Sequence, residues 1–422
     1  MSGARETTPR IPDHYRDLLE RRPPAGHEPA WLAELRGAAK AAFLASGFPT
    51  PRDERWHYTS LAQLERVPFH PPGEQCIGLD GDDLAPYLLA PEAQRLVFLN
   101  GRLAPPLCRS TSLPAGVRLA GLAQVLGEAP AEVEPWLHRV ARSRPDPVVD
   151  LNTALAEDGA LLEVAPGADA GLIELLFLTT AAGDPLLAPP RNLIRVGAGG
   201  RATVVEVYRT LGEGPCLADP VTEIEVAEEG RLTYVRLADE GGGTFHTGVA
   251  AARLGRGARL TGHLFLLGGR LARLELTADL AGEGAEARLS GLLVGAGRSH
   301  RDLTTSVDHT APATTSRERV RAIADGRARA CFSGLVHVHA GAAGAAARMA
   351  NDNLLLSDRA EVDTRPQLRI DTDEVKASHG ATVGRLDEAA LFYLRSRGVA
   401  EAEARALLIG AFAAEIVGEV AP

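Results

Sequence analysis

Lysine is almost missing from this chain. Of 45 basic residues only Lys40 and Lys376 are lysines, and 55 acids outnumber the bases to leave a net charge of −10. The arginines are interspersed with acids and never gather into a basic block, which excludes a nucleic-acid partner. Cysteine is as sparse: Cys76, Cys108, Cys216 and Cys331 lie far apart with no C-x-x-C pair. That spacing excludes a disulfide framework and a self-contained zinc or four-cysteine iron–sulfur site. Long apolar runs are lacking too. Leu175–Gly183 and Ala406–Ala414 are bounded by Glu174 and Glu415, well short of the roughly 20 residues a spanning helix needs. The first residues, MSGARETTPRIPDHYRD, hold no signal-like apolar stretch, so a cytoplasmic location without a membrane partner is expected. G-x-x-x-x-G-K-[ST], G-x-S-x-G and H-E-x-x-H do not occur, so ATP binding through a phosphate loop is not expected of this chain. The glycines of Val196–Gly200 lead into a strand rather than a helix, which removes a phosphate cradle there.

What is present is ordinary for a folded protein, with 45% apolar and 24% charged residues in 422, enough for a sizeable core. Three regions differ in pattern. Residues 1–150 are mixed and helix-rich. In Ala30–Pro49 the residues Trp31, Leu35, Ala38, Ala42 and Phe43 fall near helical spacing, with Gly47 and Pro49 as a stop. Arg95–Leu103 reads as a hairpin about Asn100-Gly101.

Residues 151–384 alternate short apolar strands with glycine-bearing turns. With Gly200, Gly230, Gly257 and Gly284 as markers, the spacings are 30, 27 and 27 residues. A recurring period of this size suggests a solenoid of stacked units. A parallel β-helix fits best; an antiparallel sandwich or barrel is the rival, since Gly268-Gly269 and Gly241–Gly243 could be hairpin turns. In the third region, 385–422, Asp387 is placed to cap one helix and Gly398 to end it, and Glu401–Val417 forms a second. Such a helical hairpin can close off a solenoid or offer a groove to a partner.

Few residues suggest chemistry. His337 and His339 lie two apart on an expected strand and project from one face, a beginning for a metal site that still needs further ligands. Asp308-His309 would be a general-base pair only with a nucleophile nearby. Lys376 could form a Schiff base, but a lysine on a strand edge also discourages unwanted pairing. It lies in VKASHGATVG (Val375–Gly384), which raises the question whether His379 is a ligand or merely a turn residue. No catalytic constellation assembles, and a chain of this length without one reads as a scaffold rather than an enzyme.

Several stretches together resemble the SufB/SufD family of iron–sulfur cluster assembly subunits, on its SufD side. They are KASHGATVGRLDEAALFYLRSRG (Lys376–Gly398), EARALLIGAF (Glu403–Phe412), NDNLLLSDRAEVDTRPQLRI (Asn351–Ile370), SRERVRAIADGRARACFSG (Ser316–Gly334), LNTALAEDG (Leu151–Gly159), PRNLIRVGAGGRATVVEVY (Pro190–Tyr208) and ERWHYTSLAQL (Glu54–Leu64). Asn351-Asp352-Asn353-Leu354 stands where SufB-like chains carry a cysteine. The resemblance implies a mainly β fold, with a right-handed parallel β-helix core between an N-terminal helical or mixed region and a C-terminal helical hairpin. It implies a non-catalytic scaffold that pairs with a SufB-like paralogue through the β-helix end and with a SufC-like ABC ATPase, which would handle ATP. The C-terminal helices would dock that ATPase, with Leu391, Phe392, Tyr393, Arg395, Arg397, Leu408 and Phe412 as candidate contacts.

The resemblance also implies a role for His379. The matching histidine of the family faces the paralogue and helps to hold a transient iron–sulfur cluster or its iron. A neutral imidazole suits iron, and one histidine can complete a site whose thiolates come from another chain. The family's usual cysteine before the Ser-His pair is here Ala377, so His379 stands alone. Glu374, with Asp371 and Asp373, is a weaker candidate oxygen ligand. Two alternatives accompany this reading. One is a β-helix enzyme acting on polysaccharide, which would want aromatic platforms that 5% aromatics hardly supply. The other is a self-paired, metal-binding homodimer.

Overall fold

The computed structural model describes residues 11–21, 28–73, 79–110, 112–181 and 183–420. Cys76 lies outside the described residues. Strands of about ten residues pair in parallel with the strand one coil away, never with the next in sequence, from Ala160–Val164 to Val375–Arg385. The result is a parallel β-helix of about seven turns, and the antiparallel sandwich is set aside. Its two walls are a 10-stranded and an 11-stranded sheet.

The turn glycines explain the repeat and correct its phase. Arg201, Arg231, Arg259 and Glu286 stand in register, at intervals of 30, 28 and 27 residues. The left-handed turn position before them is Gly199, Glu229, Gly257 and Gly284, with φ of 65°, 56°, 63° and 71°. Gly200 and Gly230 therefore follow the strained position rather than occupy it, and a glutamate tolerates it once. Strand alternation then sorts side chains to the bore or to the outer surface. Ile224, Ala252, Val307 and Val336 enter the bore from one wall; Val204, Tyr234 and Leu289 enter from the other.

The bore also holds charge. Glu206 is completely buried and accepts hydrogen bonds from the hydroxyls of Tyr208, Thr222 (2.9 Å) and Tyr234 (2.6 Å), and from the amide of Asn192 at 3.2 Å. Arg236 lies 3.8 Å from it and is equally buried. A buried carboxylate is tolerable only when so fully partnered.

The outer face of the 11-stranded wall is covered by the N-terminal region. Tyr15, Phe43, Trp56 and Leu151 pack on Val221, Val249, Ala251 and Leu271. An ion pair crosses this contact, with Arg55 3.0 Å from Glu275, and buried pairs within the wall lie beneath it, with Arg191 2.6 Å from Glu223 and Arg273 2.8 Å from Asp302. Glu223 also accepts from the backbone amides of His138, Val140 and Ala141. The helix Ala30–Ser46 ends at Gly47 (φ 68°) as its sequence suggests. Its buried face is Leu32, Ala39 and Phe43, turned slightly from the expected stripe, with Ala38 and Ala42 exposed. The Asn100-Gly101 hairpin forms, with Leu99 opposite Arg102 and φ of 53° and 81° at the turn.

The C-terminal helices are Glu388–Ser396, capped by the Asp387 carboxylate, and Glu401–Val417. The second lies along the outer face of the 10-stranded wall, where Phe412 and Ile416 meet Leu292, Ile323 and Leu354. It is tied there by Arg321, which reaches Glu415 at 2.6 Å and stacks 4.4 Å over Phe412. The hairpin thus covers a flank and, among the described residues, leaves the end of the solenoid open, contrary to the closing role that its sequence alone favoured.

Candidate functional site

His379 occupies a position that only the stacking reveals. Val204, Tyr234, Gly262, Leu289, Glu318, Met349 and His379 form one register column down the 10-stranded wall. Every member below it faces the bore, and Met349 is 1% exposed. His379 is exposed because, among the described residues, no coil lies above it. It is neither a turn residue nor a solvated outer-face residue; it is a core position left uncovered at the end of the stack.

Its neighbours tell the same story. Val375 and Ala377, the odd-numbered residues before it, still pack against the core. Val383 and Ile370, bore-facing on the last strand of each wall, are 50% and 43% exposed. Among the described residues Val375–Arg385 pairs only with Ala345–Leu355, and Glu361–Ile370 only with Arg329–Val338, so both present an unpaired strand edge there. Exposed apolar groups beside free strand edges are the features of a surface able to receive further strands. Lys376 and Ser378 point outward from the same strand, and Lys376 is exposed.

Glu374 does not join His379. Five residues of extended chain separate them by roughly 16 Å, and odd and even positions face opposite sides. Asp371 is engaged elsewhere: its carboxylate is 2.7 Å from His337 Nε2, and that hydrogen bond holds its pKa below the usual carboxylate range. Two coils beneath His379, Glu318 is 1% exposed and faces Thr305 without a well-formed hydrogen bond. Burial pushes its pKa up to about 7, with Thr305 only partly offsetting this.

Asp308 and His309 face opposite sides of their strand. His309 is buried, with Nδ1 2.8 Å from the Thr314 hydroxyl and Nε2 2.8 Å from that of Ser316, and burial lowers its pKa to about 4. It has no part in a general-base pair with Asp308. His337 and His339 do share one face, on the outer side of the 11-stranded wall, with ring centres 3.7 Å apart. Asp308 stands in register with His337 one coil away. This meeting was missed in the sequence, although their separation of one coil period could have exposed it. Cys108, Cys216 and Cys331 are free thiols. Burial raises Cys216 to about 12 and Cys331 further, so neither is a ready thiolate ligand.

The candidate docking residues divide. Leu391 is buried, Phe412 packs on the wall, and Leu408 is half-buried. Phe392 and Tyr393 are 71% and 57% exposed, beside exposed Arg395 and Arg397.

Fold and site together define a parallel β-helical protein whose last coil leaves bore-facing side chains and strand edges uncovered among the described residues. Comparison with known proteins gives the class a family. Residues 177–412 match the SufBD core domain of the SUF system for FeS cluster assembly, and residues 87–170 match the SufBD protein N-terminal region. The chain is similar to an iron–sulfur cluster assembly SufBD family protein of Synechocystis sp., at 30% identity over 96% of this chain and 90% of the relative. It is similar to the iron–sulfur cluster assembly protein SufD of Escherichia coli at 33% identity, over 88% of this chain and 85% of that one. The SufD of Bacillus subtilis is 26% identical over 93% of this chain and 91% of its own. The chain belongs to the SufBD family of iron–sulfur cluster assembly proteins. Membership removes the polysaccharide-enzyme alternative. Among the described residues no helix is long and apolar enough to cross a membrane.

Proposed function

We propose that this chain is a SufD-type, non-catalytic scaffold subunit that offers His379 to a nascent iron–sulfur cluster, or its iron, at a junction with a SufB-like paralogue. The uncovered bore position of His379 carries the reading. A paralogous coil laid on the open end would continue both sheets, bury Val383 and Ile370, and enclose the imidazole with groups of its own. A site split between two chains also accounts for a donor set here of one imidazole, with Ala377 before the Ser-His pair. The cluster is cargo passed on, and ATP is left to a SufC-like ATPase that docks on the C-terminal helices through Phe392 and Tyr393, flanked by Arg395 and Arg397.

The test is anaerobic co-purification with the SufB-like and SufC-like chains, scored for bound iron and sulfide. His379→Ala should lower both while the complex stays intact; an unchanged yield would overturn the ligand role. The open end could also accept a second copy of this chain, and size-exclusion with and without the paralogue separates that homodimer from the heterodimer.

A further inference from the structure

A second cluster of ligand-type side chains lies on the outer face of the 11-stranded wall, near strand ends on successive coils. Asp308 is the penultimate residue of His300–His309, His337 that of Arg329–Val338, and His339 follows the latter strand's end. Asp371 follows Glu361–Ile370 one coil on, its backbone N–H donating to Val338 O at 2.8 Å. We infer that Asp308, His337 and His339 form a binding site for a divalent first-row transition metal ion.

The distances suit a shared ion. Asp308 Oδ1 is 3.1 Å from His339 Nε2 and 3.5 Å from His337 Nδ1. The three ligand atoms all lie within 4.8 Å of one another. Ligands at about 2.0–2.2 Å from a tetrahedral ion are ~3.3–3.6 Å apart, so two edges of the coordination figure are already near length. Two imidazoles and one carboxylate leave further positions open, the donor set of non-haem iron(II) and of zinc sites with a free position.

The surrounding hydrogen bonds choose which atoms are offered. Asp371 can only accept, so in the neutral ring His337 Nε2 carries the proton at 2.7 Å and Nδ1 keeps its lone pair. That lone pair faces the Asp308 oxygen, and a cation between them relieves the repulsion. A carboxylate gripping the far nitrogen of a ligating histidine is the usual outer-shell support of a metal site. Arg144 donates to Asp308 Oδ2 at 2.6 Å, which turns Oδ1 toward the histidines. The Asp308 and His337 side chains are 19% and 12% exposed, and that of His339 38%, so the site is sheltered with a way in past His339. A second proton on His337 is the competitor for this place, and metal binding tests the two directly. The inference does not depend on the role proposed for His379, which lies on the other wall.

The tag-free full chain, stripped with a chelator, is titrated with Co(II) while its visible ligand-field absorption is followed. One equivalent should bind and be displaced by Zn(II). His337→Ala with His339→Ala should weaken binding by about 100-fold or more, and Asp371→Asn, which touches no metal, by about 10–100-fold. Circular dichroism checks folding, and the paired glutamine substitutions replace the alanine ones if those unfold. His379→Ala separates the two readings, since it removes the residue proposed for the cluster and should leave the Co(II) spectrum as in the wild type. No Co(II) spectrum in the wild type, or the same spectrum in the folded double variant, would overturn the site.

Discussion

Tyr234 and His379 occupy the same register column, five coils apart, and differ in everything that follows from having a coil above. Tyr234 is fully buried and its hydroxyl donates to Glu206. His379 has Met349 beneath it and no strand of the described residues above. The middle of a solenoid is its own partner, whereas the last coil has one face that no coil of the described residues covers. Position within the stack, rather than the residue type, decides which side chains are structural and which remain available for chemistry.

Substitutions can press on that contrast. Tyr234→Ala opens a cavity and removes one donor from the buried Glu206 carboxylate, and should cost about 3–5 kcal/mol in urea unfolding. A loss under about 1 kcal/mol would mean the column is not sealed there. Glu318, lower in the same column, should make stability depend on pH. Its folded pKa of about 7 exceeds the ordinary 4.5, so the folded state holds its proton more tightly. This contribution is present below about 4.5, declines as pH rises, and is lost above about 7, a span of about 3 kcal/mol. Glu318→Gln should flatten the unfolding free energy across that window, and a wild-type slope retained by the variant would assign it to other groups.

On the flank, Phe412→Ala should cost about 1–2 kcal/mol through its lost contact with the wall. Phe392→Ala with Tyr393→Ala should stay within about 0.5 kcal/mol yet weaken capture of the SufC-like ATPase in a pull-down. Equal stability losses for the two changes would make the exposed aromatics structural. His379→Ala should move stability least, again within about 0.5 kcal/mol, while cluster yield falls. A large stability loss would place the ring inside the fold.

Much of this architecture was legible along the chain. The near-30-residue recurrence of turn glycines announces stacked coils because each coil must place its left-handed turn above the last. The Asp387 cap, the Gly398 stop and the Asn100-Gly101 hairpin were equally plain, because each depends on backbone conformations only a few residues long. The motif around His379 singled out that residue without showing that it stands uncovered at the end of the stack. Ala38 and Ala42 misled about the helix Ala30–Ser46, since small residues weigh alike on either side of a stripe and only the surface beneath selects the face.

The chain's own order of residues therefore determined the period, the turns and the identity of the side chains in each coil, all consequences of local sterics and alternation. The tertiary structure alone decided that His379 is an uncovered core position, that the C-terminal helices lie on a flank, and that Asp308 meets His337 and His339. Those outcomes depend on which coil lies above which, and that adjacency joins residues about thirty apart whose neighbours in sequence carry no trace of it.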